Sequence, residues 1–103
     1  MQTIELDGGD WRSELDFYEA LANALGSVEW HGRNADAFLE TMIYYLDLNK
    51  VQPPYKVVIK RAREPVLSFL LEFASWIVKA RDDRKRDWGD DAEVVVTVEH
   101  AAP

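Results

Sequence analysis

The chain has no cysteine and only two histidines, which excludes a disulfide, a thiolate metal site and a zinc finger, and leaves too little imidazole for a cluster. Nowhere do about 18 consecutive apolar residues occur, the length a membrane span requires. The first nine residues carry Glu5 and Asp7 and lack both a basic lead and an apolar run, so no export signal is visible and a cytoplasmic location is expected. A phosphate-cradling glycine loop and a nucleophile elbow are missing too. Internal repeats, low-complexity tracts and a second-domain linker are equally absent.

What remains is a chain of 103 residues, 48% hydrophobic and 30% charged. Such a composition excludes a disordered chain, a collagen-like repeat and a coiled coil. One core is all that this length can hold, and about 60 to 65% of the unfolded surface is buried in a domain so small. The charge is unevenly placed. Residues 1–50 hold ten acids against Arg12, Arg33 and Lys50, whereas residues 51–103 hold nine of each sign, so the net charge of −7 lies in the first half. Such a field repels phosphate, so direct nucleic-acid binding is not expected, and a basic partner is steered toward the acidic half. The plain alternative is that a net charge of this size only keeps a small domain soluble.

Along the chain, Thr3-Ile4-Glu5-Leu6-Asp7 alternates as a half-buried strand does, and Gly8-Gly9 ends it. Ser13 precedes a helix with Phe17, Tyr18, Leu21, Ala22 and Leu25 at helical spacing, stopped by Gly26. Asn34 is placed to cap a second helix whose stripe is Ala35, Phe38, Leu39, Met42, Ile43 and Leu46. After Pro53-Pro54, Tyr55 to Lys60 alternates again. A third helix is predicted from Pro65 to Ala80, apolar around most of its circumference and therefore mostly buried, with Phe69 and Trp76 in the core or, alternatively, against another protein. Residues 81–91 read as a solvated helix end and loop, with Arg84-Lys85-Arg86 as surface charge and Trp88-Gly89 as a turn. Glu93 to Glu99 forms the last strand. The domain thus runs over residues 1–99, and 100–103 is expected to be a frayed tail.

The order is β-α-α-β-α-β, with crossovers long enough for parallel strands. One sheet face carries Glu5, Lys56, Lys60, Glu93 and Glu99, so the helices are expected on the other face only: a two-layer α/β fold with a three-stranded parallel sheet.

On the second helix Asp36, Glu40, Tyr44 and Asp47 follow at spacings of four, four and three and share an outward face, which is either a solvated surface or a contact surface. Trp30-His31-Gly32 lies just before it. A glycine there can take positive φ and admit a partner close to the backbone, and Trp30 either covers the core or makes a contact. Arg33 is expected to pair with a nearby acid. His31 with Asp36 or Glu40 has the right residue types for a metal or acid/base site, but the spacing matches no metal motif and no second histidine is near. Neither a metal, a cofactor nor catalysis is expected.

The segment Ile4-Glu5-Leu6-Asp7-Gly8, Asp16-Phe17-Tyr18 at the start of the first helix, and above all Trp30-His31-Gly32-Arg33-Asn34-Ala35-Asp36-Ala37-Phe38-Leu39-Glu40 resemble the barstar family of intracellular ribonuclease inhibitors. The resemblance spans residues 3–60; beyond residue 64 only the order helix then strand agrees. It implies a barstar-like fold, a three-stranded parallel sheet with packed helices, and inhibition by covering a nuclease active site with the loop and the second helix. By position, Trp30 and Gly32 match loop contact residues, Asp36 the acid that opens the helix, and Glu40 the acid one turn later. The family pattern has tyrosine where this chain has His31, tryptophan at Leu39 and aspartate at Glu40. Glu64 is the nearest counterpart of the acids that assist from the third helix.

The contact set expected is Trp30, His31, Gly32, Asn34, Asp36, Leu39, Glu40 and Tyr44. The partner implied is a basic protein, a secreted or toxin-type ribonuclease, met by a chain that is monomeric when free, binds no membrane and acts as an immunity protein. The alternative is a binding module of the same fold for a basic partner that is not a nuclease.

Overall fold

The alternating segments assemble into one parallel sheet. The computed structural model describes residues 1–101 and contains β1 (Gln2–Asp7), α1 (Glu14–Leu25), α2 (Ala35–Ile43), a 3-10 turn (Leu46–Leu48), β2 (Tyr55–Ala62), α3 (Val66–Trp88) and β3 (Val94–His100). The strands lie in the order β1-β2-β3, with Ile4 beside Val57 and Val57 beside Val96. That register puts Ile4, Leu6, Val57, Ile59, Val94 and Val96 on one face, against Phe17, Leu21 and Leu25 of α1, Phe38 and Met42 of α2, and Leu70, Phe73 and Ile77 of α3. Glu5 and Lys60 on the opposite face are exposed and pair with one another at 3.3 Å. The two-layer arrangement follows from that division: apolar side chains leave water on one face only, where the helices cover them.

Three boundaries differ from expectation. α2 stops at Ile43 rather than running to Leu46, because both Tyr44 and Tyr45 donate their N–H to the Glu40 carbonyl and the chain then tightens into the 3-10 turn. α3 runs eight residues beyond Ala80, to Trp88, and ends where Gly89 takes a left-handed conformation (φ 82°). Its charge run supports this extension, since Lys79–Asp83, Lys85–Asp82 and Arg86–Asp83 pair along the helix surface. β3 includes His100, and the Ala101 N–H bonds to the Ala62 carbonyl, so the frayed segment does not begin at residue 100; residues 102 and 103 of that expected tail lie outside the described residues.

The third helix is also less buried than its composition implies. Leu71 and Val78 are exposed, and Trp76 is only partly covered, edge-on to Phe69, which itself is half-buried among Phe17, Tyr18 and Phe73. Arg81 joins the far end of α3 to the sheet: Nε and Nη2 donate to Asp91 at 2.9 and 2.6 Å, and Nη1 to the Val94 carbonyl at 3.0 Å. This guanidinium, with the Glu93 N–H, holds the Asp91 carboxyl far below its ordinary value of 3.8.

A group whose carboxyl is depressed in the folded state stabilises the fold above its unfolded value and loses that contribution as the pH falls. Asp91→Asn is therefore expected to lower unfolding stability at pH 7 by about 1 to 2 kcal/mol, with the gap to wild type closing below about pH 4. Denaturant melts across pH check it; a gap that stays constant down to pH 2 would contradict the assignment.

Candidate protein-binding face

The loop that precedes α2 is laced to the segment that follows it. α1 ends at Gly26, left-handed at φ 64°, and from there the Val28 N–H bonds to the Leu48 carbonyl at 3.1 Å, the Ser27 hydroxyl to Asn49 at 2.6 Å, and the Lys50 N–H to the Gly26 carbonyl at 3.2 Å. Both ends of α2 are thus held to one another through backbone bonds.

His31 completes the lacing from inside. It is 5% exposed, its ring packs on Phe38 at 4.3 Å, and both ring nitrogens are used. The Gly32 carbonyl can only accept, so Nδ1 carries the proton and donates to it at 2.7 Å, while Nε2 receives the Thr41 hydroxyl at 2.8 Å. The His31 side chain, expected in the contact set, is turned into the core, where it fixes the loop. Arg33 donates to the His31 carbonyl at 2.6 Å and pairs with Glu19 of α1 at 3.5 Å, the acid pairing anticipated for it.

Gly32 also acts differently from the expectation. It does not take positive φ; a Cβ there would lie 3.0 Å from Asn34 Nδ2 and 3.2 Å from the Ala37 methyl, so a side chain would press on the helix cap. That cap is as predicted: Asn34 Oδ1 accepts the Ala37 N–H at 2.8 Å.

Held in this way, the loop presents Trp30 outward, 73% exposed, which decides between core cover and surface for that ring. Asp36 and Glu40 stand exposed one turn apart on α2. None of the ion pairs found among the described residues involves Glu29, Asp36, Glu40 or Asp47. By contrast, every aspartate between residues 82 and 91 is paired. Asp10, Glu14 and Asp16 before and within α1 likewise appear in none of these ion pairs, so the acids of α2 belong to an uncompensated negative field over the first half of the chain.

Not all of the expected set lies on this surface. Leu39 is half-buried against the core and Tyr44 is half-buried against Trp88; Asp47, read with Asp36, Glu40 and Tyr44 as one helix face, leaves that face because it sits in the 3-10 turn. Two groups escaped the sequence reading. Glu14 of α1 joins Asp36 near the Tyr18 hydroxyl, whose pKa is pushed up to about 12 by burial first and then by these two carboxylates. Tyr18 itself is stacked on Phe38 (5.6 Å, 6°), so α1 and α2 bring the two acids to one side. The second group is Arg84, read as surface charge but in fact 9% exposed. It donates to the carbonyl of Ile43, the last residue of α2, and forms a two-pronged pair with Asp90 at 2.9 and 3.1 Å. No pattern within Arg84-Lys85-Arg86 distinguishes its first residue from the other two; the difference is made by the helix packed against it.

Among the described residues no group of three His, Asp or Glu side chains is placed to hold a metal ion, and no helix is long and apolar enough to cross a membrane. The face offers carboxylates and exposed aromatic surface on a rigid frame, which suits recognition of a cationic surface. The profile of the family described as Barstar (barnase inhibitor) matches residues 1–100. No curated protein matches the sequence.

His31→Phe keeps a ring against Phe38 but leaves the Thr41 hydroxyl and the Gly32 carbonyl without their partner. It is expected to cost about 1 to 2 kcal/mol of stability in denaturant melts. Trp30→Ala, at an exposed position, is expected to stay within about 0.5 kcal/mol of wild type. Equal losses in the two variants would contradict the division between an inward His31 and an outward Trp30.

Proposed function

The chain belongs to the barstar family, whose members are inhibitors and not enzymes, and from that premise we propose that it is a non-enzymatic inhibitor that blocks the active site of a basic ribonuclease. Asp36 and Glu40 act as phosphate mimics. A ribonuclease lines its cleft with cationic side chains to bind phosphate, and a carboxylate fixed on a helix can accept the same charge-assisted hydrogen bonds without offering a bond to cleave. The observation that carries this reading is the unpaired state of the carboxylates on α2, in a protein that pairs every aspartate between residues 82 and 91. Trp30, beside them and exposed, supplies the aromatic contact such interfaces favour. The inhibitor acts in the cytoplasm, as a monomer, giving its cell immunity to a secreted or toxin-type nuclease.

A second reading is a module of this fold for a basic partner that is not a nuclease. The identities at 31, 39 and 40 favour it: His31 is buried and Leu39 half-buried where the family pattern is aromatic, and Glu40 reaches one methylene further than aspartate.

Purified protein tested against small basic microbial ribonucleases is expected to inhibit at least one. Asp36→Ala and Glu40→Ala should each weaken that inhibition by at least about 2 kcal/mol with unchanged melting, whereas Glu72→Ala on α3 should not. Full inhibition by both variants would refute the phosphate-mimic role, and failure to inhibit any ribonuclease would transfer the reading to the non-nuclease partner.

A further inference from the structure

We infer that Trp88 and Tyr44 form a second recognition element beside the acidic helix, a seat for an arginine side chain of the basic partner. This rests on the reading of the α2 face as the inhibitory surface. Trp88 closes α3 and keeps 52% of its surface exposed although two neighbours hold it. Tyr44 meets it edge to face, with centroids 5.0 Å apart and planes at 67°, and the Arg84 guanidinium lies over the ring at 5.0 Å. A tryptophan so fixed gives up little side-chain freedom on binding, which is the condition under which an exposed aromatic ring contributes to affinity.

The charge around the ring says what it accepts. Each of the four bases between residues 81 and 91 is engaged by an aspartate, so none is left to repel an incoming cation. On the other side Tyr44 lies one turn after Glu40, which is unpaired, so the ring pair continues the line Asp36, Glu40, Tyr44 onto α3. An electron-rich ring in contact with a tyrosine one turn from an uncompensated carboxylate favours a cation, and a planar guanidinium stacks on such a ring better than an ammonium. The ring already shows that compatibility, since the Arg84 guanidinium lies over it while Asp90 neutralises its charge.

The test uses the full chain and a ribonuclease that the wild-type protein inhibits, with inhibition constants and melts for Trp88→Phe, Trp88→Leu and Asp36→Ala. Trp88→Phe should remain within about threefold of wild type, and Trp88→Leu should weaken inhibition about tenfold or more while melting close to the phenylalanine variant. Wild-type inhibition by Trp88→Leu, with Asp36→Ala defective, overturns this proposal and leaves the phosphate-mimic reading intact. Equal weakening by Phe and Leu also overturns it, because the ring then serves packing and not a cation. Full inhibition by Asp36→Ala, or no ribonuclease inhibited by wild type, defeats the reading of the α2 face and this proposal with it.

Discussion

The hydrogen bond from buried Arg84 to the carbonyl of Ile43 is the contact on which the acidic face depends. α2 has only nine residues, carries Asp36 and Glu40 a turn apart, and has no basic residue in its own last turn. Such a helix is too short to persist alone, and its like charges at i, i+4 oppose it further. A cation at the C-terminus is what its dipole calls for. The sequence of α2 does not supply one, and α3 does, from 41 residues away. Because Arg84 is satisfied by Asp90, the cation meets the helix end without neutralising the carboxylates on the exposed face.

At the opposite end of α2 Arg33 ties the loop to Glu19 and to the His31 carbonyl, and the contacts to the helix itself are uncharged. Asn34 caps it, the absence of a Cβ at Gly32 leaves room for that cap, and His31 joins the loop to the middle of the helix through Thr41. Positive charge beside Glu40 would relieve its repulsion with Asp36 but would also neutralise the exposed face. The chain instead uses a tautomer-fixed imidazole, an amide cap and backbone lacing to Asn49 and Leu48. Preorganisation of this kind lowers the ordering cost of any association that this face makes.

Local pattern made the frame legible. Period-two alternation identified the three strands and the single covered face, and Gly26 and Asn34 marked helix ends by their own backbone and side-chain chemistry. Asp36 and Glu40 were visible for a related reason, since their exposure follows from helical spacing, whereas for Trp30 local pattern left core cover and surface open and the structure decides for surface. What escaped was determined across elements. The inward turn of His31 depends on Thr41 ten residues later, the burial of Arg84 on the end of α2, and the exposure of Leu71 and Val78 on how much of α3 the sheet can cover. The early end of α2 belongs to the same class, since Leu46 continues the apolar period although the backbone has already left the helix.

If Asp36 and Glu40 occupy phosphate positions, the inhibitor and a nucleotide cannot share the enzyme. The most direct measurement is therefore competition: a ribonuclease inhibited by this protein is loaded with a non-cleavable nucleotide, and binding of the inhibitor is followed as nucleotide is raised. Mutual exclusion, with the apparent dissociation constant rising in proportion to nucleotide concentration, is the expected result. A ternary complex, with inhibitor affinity unchanged by saturating nucleotide, would contradict inhibition by phosphate mimicry.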